Sequence, residues 1–152
     1  MRKLAILIVA LILAFPITAQ AKPKQDWVYI PSVRISERVQ YANYGMDTQV
    51  ICDKKDRAVA YRYRGSIGIA DHNYQGFRNL PRVKVRDKAR VTLFGKTKTY
   101  ICIKVFNGYN RSAYLTDRNH KIVELKKGEI QMYTCTAKST TKIIITIWRE
   151  LK

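Results

Sequence analysis

The chain has 152 residues, with 29 Lys and Arg against 11 Asp and Glu and a formal net charge of +18. That length suits one domain and leaves little room for two of ordinary size. With 47% hydrophobic and 11% aromatic residues it can bury a core, which excludes a disordered polybasic tail, while three cysteines without CxxC spacing argue against a disulfide scaffold or structural zinc site.

Met1-Arg2-Lys3, the apolar run from Leu4 to Phe15, and Ala19-Gln20-Ala21 ahead of Lys22 have the layout of a secretory signal peptide. The apolar run is shorter than the roughly 20 residues that span a bilayer, and Pro16 breaks it. Cleavage after Ala21 is therefore expected over a permanent N-terminal anchor, leaving residues 22–152 as the folded domain. Losing residues 1–21 removes two bases and no acid, so 27 bases face 11 acids and the mature charge is +16. Outside the cytoplasm such a charge favours anionic envelope polymers such as lipid headgroups, teichoic acids or acidic glycans, and no nucleic acid partner is expected.

Lys22 to Gln25 reads as a flexible lead-in. Alternating apolar and polar residues predict strands at Ala58–Tyr63, Ala89–Phe94 and Tyr100–Phe106, with Gly95–Lys98 as the hairpin loop between the last two. Ile67–Ala70, Ile130–Thr134 and Ile143–Trp148 add three more, the last wholly apolar apart from Thr146 and so expected at the centre of a sheet. One helical turn is predicted at Gly76–Leu80, closed by Pro81, and Phe106–Lys127 is the longest connection. Six to eight short strands without βαβ alternation favour an all-β barrel or sandwich. The bases Lys54, Lys55, Arg57, Arg62, Arg64, Arg78, Arg82, Lys84, Arg86, Lys88 and Arg90 alternate with apolar residues and read as the solvated side of strands.

Few residues can carry chemistry. His72 follows the strand Ile67–Ala70 and precedes a polar turn, so its imidazole is presented at a strand end; Cys135 likewise closes the strand that runs through Met132-Tyr133-Thr134. His120 lies in a polar turn and reads as solvated. Cys102 sits inside an alternating strand and reads as core, and Cys52 follows Val50-Ile51 before a charged turn. An oxidising compartment permits a Cys52–Cys102 disulfide, but nothing in the sequence brings them within bridging distance. An imidazole or guanidinium near a thiol favours the nucleophilic thiolate, so His72 and Cys135 form a working pair only if the fold joins them.

Taken in order, Ile69-Ala70-Asp71-His72, Gly76-Phe77-Arg78-Asn79-Leu80, Tyr100-Ile101-Cys102-Ile103, Leu115-Thr116-Asp117, Tyr133-Thr134-Cys135 and the closing Ile143-Ile144-Ile145 resemble the sortase family, from about Arg57 to Trp148. The resemblance implies an all-β, closed barrel of about eight strands with short 3-10 or helical turns. It also implies a cysteine transpeptidase at the outer face of a bacterial membrane or cell wall, secreted or held there, and no cofactor. Cys135 would attack a sorting-signal peptide to give a thioester, and His72 would move the protons. An amine acceptor such as a cell-wall peptide or a pilin Lys would take the acyl group. The family's Arg at the start of the last strand has no counterpart: that position reads Thr141-Lys142, and Lys142 is the nearest cation, without the forked geometry of guanidinium. Alternation puts Lys142 on the face of Ile144 and Thr146, and Thr141 on that of Ile143 and Ile145. Val85-Arg86-Asp87 also stands where the family often has Gly-Asp. Two other readings remain open: a sortase-type fold without transpeptidation, acting as a hydrolase or a peptide-binding module, and an unrelated secreted basic β-protein. A papain-like peptidase is disfavoured because its Cys precedes its His and opens a helix.

Overall fold

A computed structural model describes residues 25–43, 47–111, 114–136 and 139–152. The segment 1–21 read as a signal peptide, and most of the lead-in, lie outside the described residues. In chain order the strands are β1 (Trp27–Ile30), β2 (Ile35–Tyr41), β3 (Ala58–Tyr63), β4 (Ser66–Ala70), β5 (Lys88–Leu93), β6 (Lys96–Asn110), β7 (Leu115–Asp117), β8 (Glu129–Thr136) and β9 (Ser139–Glu150). One short helix, α1 (Thr48–Cys52), and two 3-10 helices, Pro31–Val33 and Gly76–Arg82, complete the described elements.

The strands pair in the order β5-β1-β2-β3-β4-β8-β9-β6, and β5 pairs again with β6, which closes an eight-stranded barrel; β7 is added to the edge of β6. Two pairings are parallel, β2 with β3 and β4 with β8, and the others are antiparallel. The parallel β4–β8 pair decides the location of the chemistry, because both strands end at the same rim.

The main core fills the barrel, with Trp148, Phe77, Ile30, Ile69, Leu80 and Met132 at most 1% exposed. A second cluster lies outside the wall, where Tyr63, Leu115 and Val123 cover Ile143, Ile145 and Ile147. This explains the apolar run in β9. Thr146 and Trp148 face one way and Ile143, Ile145 and Ile147 the other, and both sides are buried. Thr146 meets the cost of burial by donating to the Met132 carbonyl (3.0 Å) and accepting from the Trp148 indole (2.8 Å).

Several sequence expectations change in detail. The β5–β6 loop is only Phe94-Gly95, and Lys96–Lys98, expected in the loop, already pair with β5. Phe94 (φ 53°) and Gly95 (φ 74°) both adopt the left-handed region that a two-residue hairpin with native twist requires. Pro81 lies inside the 3-10 helix rather than closing it, and the helix ends where the Val83 N–H reaches the Leu80 carbonyl (3.1 Å). The long connection after Phe106 is shorter than expected, since β6 continues to Asn110 and β7 follows. Of the eleven bases read as the solvated side of strands, only Arg62, Lys88 and Arg90 lie in strands, the rest falling in turns, loops and the 3-10 helix; all are exposed except Arg57, which is half-buried and paired with Asp56 at 2.7 Å.

Candidate active site at the β4–β8 rim

The last β4–β8 pair is Ala70 with Tyr133. Beyond it the chains stay together: the Asp71 N–H donates to the Tyr133 carbonyl (3.4 Å), and the Thr134 hydroxyl donates to the Asp71 carbonyl (2.8 Å). His72 follows Asp71 and Cys135 follows Thr134, so continuing this register one step past the last bonded residues would set His72 beside Cys135, at a strand spacing of about 5 Å. The two candidates therefore lie toward the same rim of the barrel, His72 two residues past the end of β4 and Cys135 one residue before the end of β8.

Asp71 builds the turn that carries His72. Its buried carboxylate accepts the backbone N–H of His72 at Oδ1 (2.7 Å) and of Phe77 at Oδ2 (3.2 Å), tying the end of β4 to the 3-10 helix. Burial raises Asp71 to about 6 against these stabilising N–H groups. Glu37 on β2 packs its carboxyl against Gly76, where any Cβ would clash with it, and burial followed by the charge of Asp71 raises Glu37 to about 7. A native state that holds a proton the unfolded chain has released loses stability as pH rises, here between about 4.5 and 7. Glu37→Gln, which keeps the shape without the charge, is expected to melt roughly 2–4 °C above the parent protein at pH 8. The gap should close by pH 4.5, and thermal melts across that range measure it.

The imidazole of His72 is held on two sides. Nε2 lies 2.8 Å from Asp53 Oδ1, just past α1, and the ring stacks on Tyr74 with centroids 4.8 Å apart and planes 11° from parallel. The helix is capped by Asp47, whose side chain accepts the Gln49 N–H (2.8 Å), and its buried Ile51 and Cys52 pack with Ala42, Val59 and Ala70. Sequence reading missed Asp53, because no local pattern links it to a histidine 19 residues away.

All three cysteines are thiols. Cys52, 7% exposed, lies 4.0 Å from both the Ala70 carbonyl and Asp71 Oδ1; burial, then Asp71, raises it to about 12. Cys102, 1% exposed, belongs to the barrel core and is raised by burial to about 11. These two stand in separate clusters. Cys135 is half-buried against the outer cluster, and burial raises its thiol as well. At pH 8 a thiol titrating at about 12 is only roughly 0.01% thiolate, by the difference of four pH units. Brief iodoacetamide treatment is therefore expected to label Cys135 and spare Cys52 and Cys102, as read by peptide mass mapping.

Lys142 stands apart from the Cys135 face. Ile143 pairs with Cys135 on one side and Gly108 on the other, whereas Lys142 pairs with Tyr109 and shares its face with Ile144. With Arg118, Tyr109 and Thr136 it borders a cavity of about 350 Å³. Arg149 is at the far end of β9, bound to Glu129 Oε1 at 3.0 Å, and Arg111 contacts His120 Nδ1 at 3.2 Å, beside the ring stack of His120 on Tyr109. Among the described residues, no group of three or more His, Cys, Asp and Glu could hold a metal ion.

No protein-family model and no curated protein matches this chain. Solved structures do match. Listeria monocytogenes sortase A is similar over 86% of this chain and 89% of its own, at 15% identity and a TM-score of 0.61. The pilus-related sortase C of Group B Streptococcus is similar over 88% of this chain and 70% of its own, at 13% identity and a TM-score of 0.62. A Clostridium perfringens sortase C solved with the C-terminal cell wall sorting motif is similar over 86% of this chain and 74% of its own, at 12% identity and a TM-score of 0.60. The chain has a sortase-like fold, an all-β closed barrel with few helices, and identities this low speak to the fold alone.

Proposed function

We propose that the protein is a sortase-type cysteine transpeptidase working outside the cytoplasm on sorting-signal peptides. The observation that supports this reading is the parallel β4–β8 register, whose continuation past Ala70–Tyr133 and the Thr134–Asp71 hydrogen bond would set His72 beside Cys135 at one rim of a sortase-like barrel. The Cys135 thiolate attacks the carbonyl carbon of the scissile peptide bond. A C–S bond forms, the C–N bond breaks, and the leaving amine takes a proton from the His72 imidazolium. An acceptor amine, from a cell-wall peptide or a pilin Lys, then attacks the thioester. Its nitrogen bonds to the acyl carbon, the C–S bond breaks, and His72 takes the amine's proton, returning Cys135 as thiolate. The developing oxyanion needs donors. Lys142 contributes positive charge near the start of β9, while the directional donors are backbone N–H groups beside Cys135.

Phe106, half-buried at the margin of the outer cluster against which Cys135 also packs, offers the peptide apolar surface on that side of the barrel. The net charge of +16 expected after removal of residues 1–21 would hold the enzyme near anionic envelope polymers. The test is to incubate the protein with a library of sorting-signal peptides, without amine, and to look by intact mass spectrometry for an acyl adduct. An adduct on Cys135 that an added amine discharges supports the reading. A labelled but never acylated Cys135 would favour the peptide-binding alternative, to which the raised thiol and the missing Arg lend weight.

A further inference from the structure

We infer that Asp53 is a positioning residue that fixes His72 in the Nε2-protonated form and leaves Nδ1 to exchange protons; the catalytic meaning of this rests on the transpeptidase reading. The Asp53 side chain is well placed for the task. Its backbone N–H is anchored to the Gln49 carbonyl (2.8 Å) at the end of α1, and Oδ1 accepts from both Gln49 Nε2 (2.7 Å) and His72 Nε2 (2.8 Å). The hydrogen bonds from His72 and then Gln49 hold its carboxyl below the usual carboxylate range. An ionised carboxylate only accepts, so the proton in the Asp53–His72 contact lies on Nε2. The other ring nitrogen is then the basic atom, the arrangement a carboxylate imposes on a histidine in nucleophile–imidazole–carboxylate sites generally.

The ring has little freedom to leave this geometry. Tyr74 stacks on its face, Asp71 holds the His72 backbone N–H, and the His72 side chain is only 16% exposed. The titratable groups recorded against His72 and its turn are Asp53 at the end of α1, Asp71 and Tyr74 on its own turn, and Cys52, which packs on Asp71; Cys135 is the further one that the transpeptidase reading adds. Asp53 is the carboxylate of this set that contacts the ring. Its side chain is 58% exposed, so its replacement should leave the fold intact.

The experiment is nitrogen-15 NMR of the full-length chain, comparing the parent protein with Asp53→Ala and Asp53→Asn. The parent is expected to show a His72 ring N–H signal at Nε2, exchanging with water at least about tenfold more slowly than in Asp53→Ala, because a hydrogen-bonded proton is shielded from solvent. Asp53→Asn, whose side-chain oxygen still accepts, should largely retain the signal. Iodoacetamide labelling of Cys135 at pH 7 should slow by about tenfold in Asp53→Ala, a modest part of the roughly 10²–10⁴-fold a positioned acid–base group contributes. A protected Nε2–H surviving in Asp53→Ala, or one protected at Nδ1 in the parent, overturns the inference. Failure of the transpeptidase reading shows differently, as Cys135 labelling indifferent to His72→Ala and an absence of acyl adducts, and the ring N–H still decides the role of Asp53.

Discussion

Cys135→Ala is expected to abolish acyl-enzyme formation, a loss of about 10⁴-fold or more in transfer to an amine, since removing a covalent nucleophile leaves only binding and the remaining donors. The fold should barely notice, because Cys135 lies half-buried at the end of β8 and its replacement removes one sulfur from the margin of the outer cluster. His72→Ala should cost about 10²–10⁴-fold, the contribution of a positioned proton-transfer group, with the thiol still alkylated, only more slowly. Cys52→Ser and Cys102→Ser should act on stability instead. Each puts a hydroxyl into a buried site that now holds a thiol, and Cys102, in the barrel core opposite Trp148 across the β6–β9 pair, should lose the more. Acyl transfer at the parent rate in Cys135→Ala, measured by mass spectrometry, would remove the thioester from the mechanism. Loss of transfer in Cys52→Ser with an unchanged melting curve would move the chemistry to the wrong side of the β4 turn.

The strands legible in the sequence were those whose alternation matched burial. Ala58–Tyr63 and Ile67–Ala70 pair with each other, and the wholly apolar β9 core segment lies between β8 and β6. The strands that escaped notice break that rule for physical reasons. In β2 the residue between Ile35 and Val39 on the core-facing side is Glu37, an acid whose carboxyl burial raises to about 7, so that about half of it carries a proton in neutral solution. The first turns of β6 are polar because they pair with β5 near solvent, where Lys98 reaches Glu150 at 2.8 Å. At the site, His72 and Cys135 were legible because strand ends and chain order mark them. Asp53 and Glu37 were not. Their relation to His72 and Asp71 arises from packing of α1 and β2 against the β4 turn, and sequence spacing carries no trace of it.

Thr141→Arg is expected to raise the rate of acylation by about tenfold or more, approaching the roughly 10²–10³-fold that one oxyanion donor supplies. Ile143 is the β9 partner of Cys135, and the β8–β9 register shifts just beyond that pair, with Thr136 opposite Ser139, so Thr141 lies in the irregular stretch within about 7 Å of Ile143 along the chain, a distance a guanidinium can span back toward the sulfur. An Arg there offers a planar fork of donors, whereas Lys142 offers a single compact charge on the other face, with Ile144. Lys142→Ala should accordingly slow acylation less than about threefold, the size of effect a screened charge exerts from a distance through solvent. Single-turnover acylation by a sorting-signal peptide measures both variants. A hundredfold loss in Lys142→Ala, with no gain in Thr141→Arg, would mean that the ammonium reaches the oxyanion and is its partner. Gain in Thr141→Arg with Lys142→Ala near the parent rate would mean that this barrel holds its nucleophile and base in place but lacks one donor on the Cys135 face.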